Sequence, residues 1–146
     1  MQVLETPLQI TLTLALVLGG VYAIWRGGRP ERWAMIGLIT ASVASPLVQN
    51  WSDGEALQSG IMAVDTVYLI MLGWLTWKSN RPWLIWASAF QLLTVMTHVA
   101  LLLNVDLHGR AYIISSYVLF VGVLVAILCG VVWPGEARHE RARVGQ

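Results

Sequence analysis

The stretch WLIWASAFQLLTVMTHVALLL, from Trp83 to Leu103, decides the class of fold. It runs for about 21 residues without an aspartate, glutamate, lysine or arginine. At a helical rise of ~1.5 Å per residue, such a stretch crosses the ~30 Å hydrocarbon core of a bilayer. A helix buried in a soluble protein keeps a polar face, and this stretch shows little of one. The pattern therefore predicts a transmembrane helix.

Four further apolar runs along the chain have the same character. They are separated by segments with charges and turn-forming residues, such as Lys78 to Pro82. The dipeptide Ser45-Pro46 interrupts the second run, where we expect a kink or an early helix end. The five predicted spans cover about residues 7–25, 33–49, 60–77, 83–103 and 111–133.

The composition also indicates a membrane protein. Of the 146 residues, 57% are hydrophobic and only 12% are charged, and the mean hydropathy is +0.66. A soluble domain carries roughly 25% charged residues, which it needs to cover its surface. We therefore predict an all-α integral membrane protein, a single bundle of about five transmembrane helices in the lipid bilayer. Residues 134–146 form a charged tail.

The basic residues predict how the bundle is oriented. The first and third loops and the tail hold eight of the nine lysines and arginines, and the other side holds only Arg110. Cytoplasmic loops carry the excess of basic residues, so we expect an outside N-terminus and a cytoplasmic C-terminus. Seven tryptophans near the predicted cytoplasmic ends are typical of an interfacial belt. They are Trp25, Trp33, Trp74, Trp77, Trp83, Trp86 and Trp133.

The N-terminal segment bears on the localisation. Met1 to Thr6 contains no basic residue, so we expect no cleaved signal peptide, and the first helix should stay in the mature protein. A short, positive-inside chain of this kind is typical of a multi-pass protein of the bacterial inner (plasma) membrane.

Several classes of function are disfavoured. The net charge is only +1, which does not favour nucleic acid as a partner. The single cysteine, Cys129, cannot form a disulfide or a cysteine-based zinc site within one chain. The HExxH, CxxC and GxSxG motifs are missing from the sequence, so we assign no catalytic residue and no metal site, and we lean against an enzyme. A haem with two histidine ligands would need His98 and a second histidine, whereas His108 and His139 belong to a loop and the tail.

Rows of small residues, spaced four apart, allow helices to approach closely in lipid. One interpretation is packing within a single bundle. The other is that one row faces a second protomer or a larger membrane complex. The rows are Ala15, Gly19 and Ala23; Gly37, Ala41 and Ser45; and Gly122, Ala126 and Gly130.

Polar side chains concentrate in the half of the spans away from the basic loops. Asp65 lies about 13 residues above Lys78 and His98 about 15 above Trp83, or roughly 20 and 22 Å along their helices. These two ionisable side chains should therefore lie at similar depth and in contact, because the short link makes their helices antiparallel neighbours. The other polar candidates in this cluster are Tyr68, Gln91, Thr94, Tyr112 and Ser116.

Two interpretations of the cluster remain open. Buried polar groups must be paired, so the cluster could simply fix the register of the helices in a non-catalytic accessory protein or subunit of a larger assembly. This interpretation is the favoured one. Alternatively, the cluster binds a small ligand such as a quinone-like head group, or relays protons, from the outer side of the membrane. The sequence does not determine a cofactor.

Overall fold

The computed structural model describes residues 5–51, 55–103 and 109–133. Within these residues the chain forms five α-helices and no strand. The loop positions 52–54 and 104–108 and the tail 134–146 lie outside the described residues. The helices are α1 (Glu5–Arg26), α2 (Arg29–Trp51), α3 (Glu55–Ser79), α4 (Pro82–Leu102) and α5 (Gly109–Val132).

Three of the helices are long and apolar enough to cross a membrane. In the described part of the chain these segments are Ser59–Ser79, Pro82–Leu102 and Tyr112–Val132, and α1 contributes a shorter apolar segment, Ile10–Arg26. Five helices were expected and five are found, and a capacity to span the bilayer is shown for three of them. The chain thus has the fold of a helical membrane protein.

The second helix differs from its predicted boundaries. It begins at Arg29 rather than at Trp33 and continues past Ser45 and Pro46 to Trp51. Pro30 suits the first helical turn because its missing N–H would have no partner there, and Glu31 interacts favourably with the helix dipole. The expectation of a loop up to residue 32 was therefore wrong, and so was that of an early end at the proline.

Two tight turns lie at the same end of the bundle, which we call the basic end because Arg26, Arg29, Lys78 and Arg81 are there. Each turn joins an antiparallel pair, α1 to α2 and α3 to α4. Asn80 ends α3 in the left-handed conformation, with φ 46°, and its N–H donates to a carbonyl one turn earlier at 3.2 Å. Asparagine tolerates this conformation better than most residues, which is why it suits a helix end.

Neighbouring helices pack in the order α1, α2, α3, α4, α5, and both α1 and α2 also contact α5. The largest fully buried apolar side chains belong to Met35, Leu72, Leu84, Val123 and Ile127. All of them lie nearer to the basic end than to the other end of their helices. The bundle therefore has a dense apolar core at the basic end and a more polar half away from it, which we call the polar half.

Glycines of the small-residue rows lie beneath large side chains of neighbouring helices. A Cβ built on Gly122 would lie 2.8 Å from the Phe90 ring, and one built on Gly130 would lie 2.6 Å from the Trp83 indole. Gly19 similarly faces Leu124 of α5 at 3.3 Å. These rows are thus used for packing within one bundle.

Gly130 gives a stability prediction with a matched control. We expect Gly130→Ala to lower the free energy of unfolding by about 1–2 kcal/mol, because the added methyl group must displace a rigid, buried indole. Gly73, which lies mid-helix in α3, has no heavy atom within 4 Å of a built Cβ. Gly73→Ala should leave stability unchanged or raise it by up to ~1 kcal/mol, since alanine favours the helix. Thermal unfolding in detergent measures both, and equal shifts would contradict the packing described.

Candidate functional site: a polar cavity between α2, α3, α4 and α5

Asp65 of α3 and His98 of α4 are in direct contact. The Nε2 atom of His98 lies 2.9 Å from Oδ2 of Asp65. His98 is buried, with 3% of its surface exposed, and Asp65 is partly buried. When Asp65 is ionised its carboxylate can only accept, and Nε2 of His98 is then the donor of this hydrogen bond. The contact expected from the matched depths of these residues is confirmed.

Two more side chains extend this contact into a hydrogen-bonded chain across three helices. Gln91 Nε2 donates to Oδ1 of Asp65 at 2.9 Å and to its backbone carbonyl at 3.2 Å. On the other side, the Tyr112 hydroxyl lies 3.1 Å from Nδ1 of His98, with the two rings edge to face. Both oxygens of Asp65 and both ring nitrogens of His98 are therefore engaged. We call Gln91, Asp65, His98 and Tyr112 the polar chain.

The polar chain lines a cavity of about 360 Å³ in the polar half. All seven residues singled out in the sequence contribute to its wall. The spacing of Gln91, Thr94 and His98 along α4 places them on one helical face, which explains why a single stripe supplies three of them. The wall also includes Leu38, Ala41, Ser42, Ser45, Ile61, Ile113, Tyr117 and Phe120. The aromatic residues Tyr117 and Phe120 were not anticipated, because apolar and aromatic residues are common throughout the spans.

The hydroxyl groups around the cavity are mostly bonded to their own helices. Thr94 and Ser116 each donate to the carbonyl four residues earlier, at 3.1 and 2.9 Å. Ser42 and Ser45 do the same on α2. A hydroxyl that donates in this way keeps oxygen lone pairs for accepting. These side chains can therefore accept hydrogen bonds from a molecule in the cavity.

Tyr68 plays a different part from the one its position next to Asp65 predicts. Its hydroxyl donates to the backbone carbonyl of Ala34 in α2 at 3.0 Å, and the residue is buried. The residue still forms part of the cavity wall. Tyr68 therefore ties α3 to α2 and does not belong to the polar chain.

The basic end contains an ion pair that sequence reasoning missed. Oε1 of Glu31 accepts a hydrogen bond from Nη1 of Arg81 at 2.9 Å, and Glu31 is 1% exposed. The second carboxylate oxygen, Oε2, is buried without a hydrogen-bond partner. Glu31 is therefore a buried ionisable side chain at the basic end, outside the predicted second span. From the sequence, Glu31 was assigned to a loop because its neighbours are charged. Pro30 suits a first helical turn and was the signal that could have placed Glu31 in α2.

Other contacts at the basic end involve polar side chains and one buried tryptophan. The hydroxyl oxygens of Thr76 and Ser88 lie 3.2 Å apart and join α3 to α4. Of the seven tryptophans predicted to form a belt, six are exposed, whereas Trp83 is 7% exposed and packs on Gly130. Trp83 is thus a core residue.

A second cavity, of about 340 Å³, adjoins the polar cavity. Its wall is made by α1, α2 and α5, and four of its residues also line the polar cavity. We call it the side cavity. Its residues are Leu12, Thr13, Leu16, Ser42, Ser116, Tyr117 and Phe120.

The described residues offer no group of three or more histidine, cysteine, aspartate and glutamate side chains that could hold a metal ion. The other two histidines, His108 and His139, lie outside the described residues. The polar chain itself offers hydrogen-bond donors and acceptors around one histidine.

Comparison of the chain with protein-family models, with curated proteins and with solved structures gives no match. The fold and the site together describe a helical bundle in which three helices are long and apolar enough to cross a membrane and one half holds a polar cavity.

Proposed function

We propose that this chain is a multi-pass protein of the inner membrane that binds a small, uncharged molecule in its polar cavity. The observation that carries the proposal is the cavity itself, with the polar chain in its wall. A polar cluster that only holds helices together does not require a cavity next to it. A volume in the range of known small-molecule sites, with a few polar groups in a mainly apolar wall, is typical of binding pockets.

The proposal includes five membrane spans, with α1 and α2 crossing beside the other three. These helices have 22 and 23 residues, or roughly 33–35 Å at the helical rise. Both pack along helices that are long and apolar enough to span, and α1 is joined to α2 by a turn of two residues. Helices packed in this way share the depth of their neighbours in the bilayer.

The excess of basic residues favours a cytoplasmic basic end, with the polar cavity facing the outer side. We expect a reporter that requires the periplasm to be active when fused after Asp53 or Asp106 and inactive when fused after Arg29, Ser79 or Gln146. Asp53, Asp106 and Gln146 lie outside the described residues. Activity after Ser79 would contradict the orientation, because this position lies between the basic residues Lys78 and Arg81 at the α3–α4 connection.

The charges around the cavity favour an uncharged ligand. Among the described residues that line it, none is a lysine or an arginine, and Asp65 and His98 already form a pair. An anionic ligand would meet the carboxylate of Asp65 without a nearby cation to stabilise it. A ring with carbonyl or hydroxyl groups, as in a quinone or quinol, matches the donors and acceptors present.

The polar chain also supplies a route for proton exchange with such a ligand. Asp65 is hydrogen-bonded to Nε2 of the His98 imidazole. Nδ1 of His98 and the Tyr112 hydroxyl are therefore the atoms of the polar chain that would exchange a proton with the ligand. Histidine is the side chain best suited to gain and lose a proton near neutral pH. We assign the proton-exchanging role to His98, the orienting role to Asp65, and the contact with the ligand to Tyr112.

Binding of duroquinone, a quinone without a hydrocarbon tail, tests the proposal on the purified protein in detergent. We expect saturable binding in equilibrium dialysis, lowered at least about tenfold by Ser116→Phe, which fills the cavity. Ser115 is the neighbouring residue and is exposed, so Ser115→Phe should leave binding unchanged. No saturable binding of duroquinone or of its reduced form to the folded wild type would contradict the proposal.

A second candidate function is that of a non-catalytic accessory protein or subunit, in which the polar chain is structural. It is favoured by one observation: both oxygens of Asp65 and both nitrogens of His98 already have partners within the bundle. Such a protein should copurify with a larger membrane complex after mild solubilisation. Its polar chain should matter for stability and not for ligand binding.

A further inference from the structure

The side cavity adjoins the polar cavity between α1 and α5. The two cavities share Ser42, Ser116, Tyr117 and Phe120, so these four side chains form the boundary between them. Leu12 and Leu16 of α1 form the opposite wall of the side cavity. A molecule in the polar cavity that displaces the boundary side chains can extend sideways between α1 and α5.

The packing of α1 leaves this side of the bundle open. The buried residues of α1, among those described, are Gly19, Gly20 and Ala23, all in the half nearer to the basic end. Farther from the basic end, Leu12 is only partly buried and Leu14 is exposed, and Leu16, near the middle of α1, is also only partly buried. Because α1 is held to its neighbours mainly near the basic end, the gap lies at the depth of the polar cavity.

The opposite side of the polar cavity is closed by a fixed side chain. An apolar groove between α2 and α3 shares Ala41 and Tyr68 with the polar cavity. Tyr68 is buried between them, and its hydroxyl is bonded to the Ala34 carbonyl at 3.0 Å. Passage on that side would require breaking this hydrogen bond between α3 and α2.

From these observations, we propose that the ligand is an amphiphile with an uncharged hydrogen-bonding head and a hydrocarbon chain. Its head lies against the polar chain of residues, and its hydrocarbon chain leaves through the side cavity between α1 and α5. The inference rests on the proposed function and adds the chemical class of the ligand and its route. A phospholipid does not fit, because no lysine or arginine among the described lining residues of either cavity could bind its phosphate. A lipid-soluble quinone has the required features.

The test compares two probes on the full-length protein in nanodiscs: duroquinone, without a tail, and decylubiquinone, with a ten-carbon tail. Leu16→Trp and, separately, Leu12→Trp place a bulky side chain in the gap. We expect each to weaken decylubiquinone binding about tenfold or more and to change duroquinone binding less than about twofold. Leu14→Trp, on the lipid-facing side of α1, and Ala63→Trp, in the groove between α2 and α3, are matched controls that should bind both probes normally.

The outcomes separate the inference from the proposed function. If the folded wild type binds neither probe, the proposed function fails. If the wild type binds duroquinone but not decylubiquinone, or if both gap variants bind decylubiquinone normally, only the inference is overturned. It is likewise overturned if Ala63→Trp, rather than the gap variants, blocks decylubiquinone, or if the gap variants weaken both probes equally.

Discussion

We expect Arg81→Met to be the most destabilising single substitution considered for this protein, lowering the free energy of unfolding by about 3–5 kcal/mol. The reason lies in Glu31, which is 1% exposed and has Arg81 as the partner of its Oε1. Its Oε2 atom is already buried without a hydrogen-bond partner. Without the guanidinium, the carboxylate would stay buried and unpaired. Denaturant or thermal unfolding in detergent measures the loss.

The two partners should respond unequally. Arg81 is 23% exposed, so it can be hydrated when Glu31 changes, and the amide of Glu31→Gln can still accept its hydrogen bond. We therefore expect Glu31→Gln to cost only about 1 kcal/mol. Combining Arg81→Met with Glu31→Leu should cost less than Arg81→Met alone, because no charge is then left buried.

Lys78 provides the control for a general effect of charge. It is exposed, lies close to the same turn, and has its Nζ 4.9 Å from the ring centre of Trp74. Lys78→Met should change stability by less than about 1 kcal/mol, the usual value for an exposed charge. Similar losses in Lys78→Met and Arg81→Met would show that the ion pair with Glu31 is not what stabilises the two turns.

The second large effect is expected on ligand binding. His98→Gln and Asp65→Asn should each weaken duroquinone binding by about 10- to 100-fold, the range for losing a hydrogen bond to a charged group. His98→Gln removes the ring that Tyr112 contacts, and Asp65→Asn removes the acceptor that orients the ring. Equilibrium dialysis of the folded variants measures the change.

Thr97 supplies the matched control, since it precedes His98 and does not line the cavity. Its hydroxyl bonds to its own helix at 2.8 Å, and Thr97→Val should bind the probe normally. Stability separates the two candidate functions. Interhelical hydrogen bonds in bilayers average about 0.6 kcal/mol, so the single variants should lose little, and the double variant less than their sum. Variants that lose stability but bind the probe normally would favour the structural role of an accessory subunit.

The contact between Asp65 and His98 could be predicted because depth along two antiparallel helices follows from residue counting. The stripe on α4 followed from helical periodicity in the same way. The tilt and rotation of a helix against its neighbours do not follow from counting. For that reason Tyr68, one turn from Asp65, was expected in the polar cluster although its hydroxyl reaches Ala34 of α2.

The basic end shows a different limit of sequence reasoning. Charges there were assigned to loops and tryptophans to the membrane interface, because composition describes the average environment of a residue type. Glu31 and Trp83 depart from that average through single partners, Arg81 and Gly130, which lie far from them in sequence. Such pairings depend on how the two turns and the end of α5 meet, which is a property of the assembled bundle.

The central claim, a cavity open to the outer side and centred on the polar chain, can be tested by cysteine accessibility in whole cells. Replacing Cys129, the single cysteine, by alanine gives a background for Ser116→Cys in the cavity and Thr76→Cys near the basic end. Both native side chains are partly buried, and both donate to a carbonyl one turn earlier, at 2.9 and 2.8 Å. With a membrane-impermeant methanethiosulfonate reagent added outside, we expect Ser116→Cys to react, duroquinone to slow that reaction, and Thr76→Cys to stay unmodified. Equal rates at the two positions, or no reaction at Ser116→Cys in the folded protein, would contradict the claim.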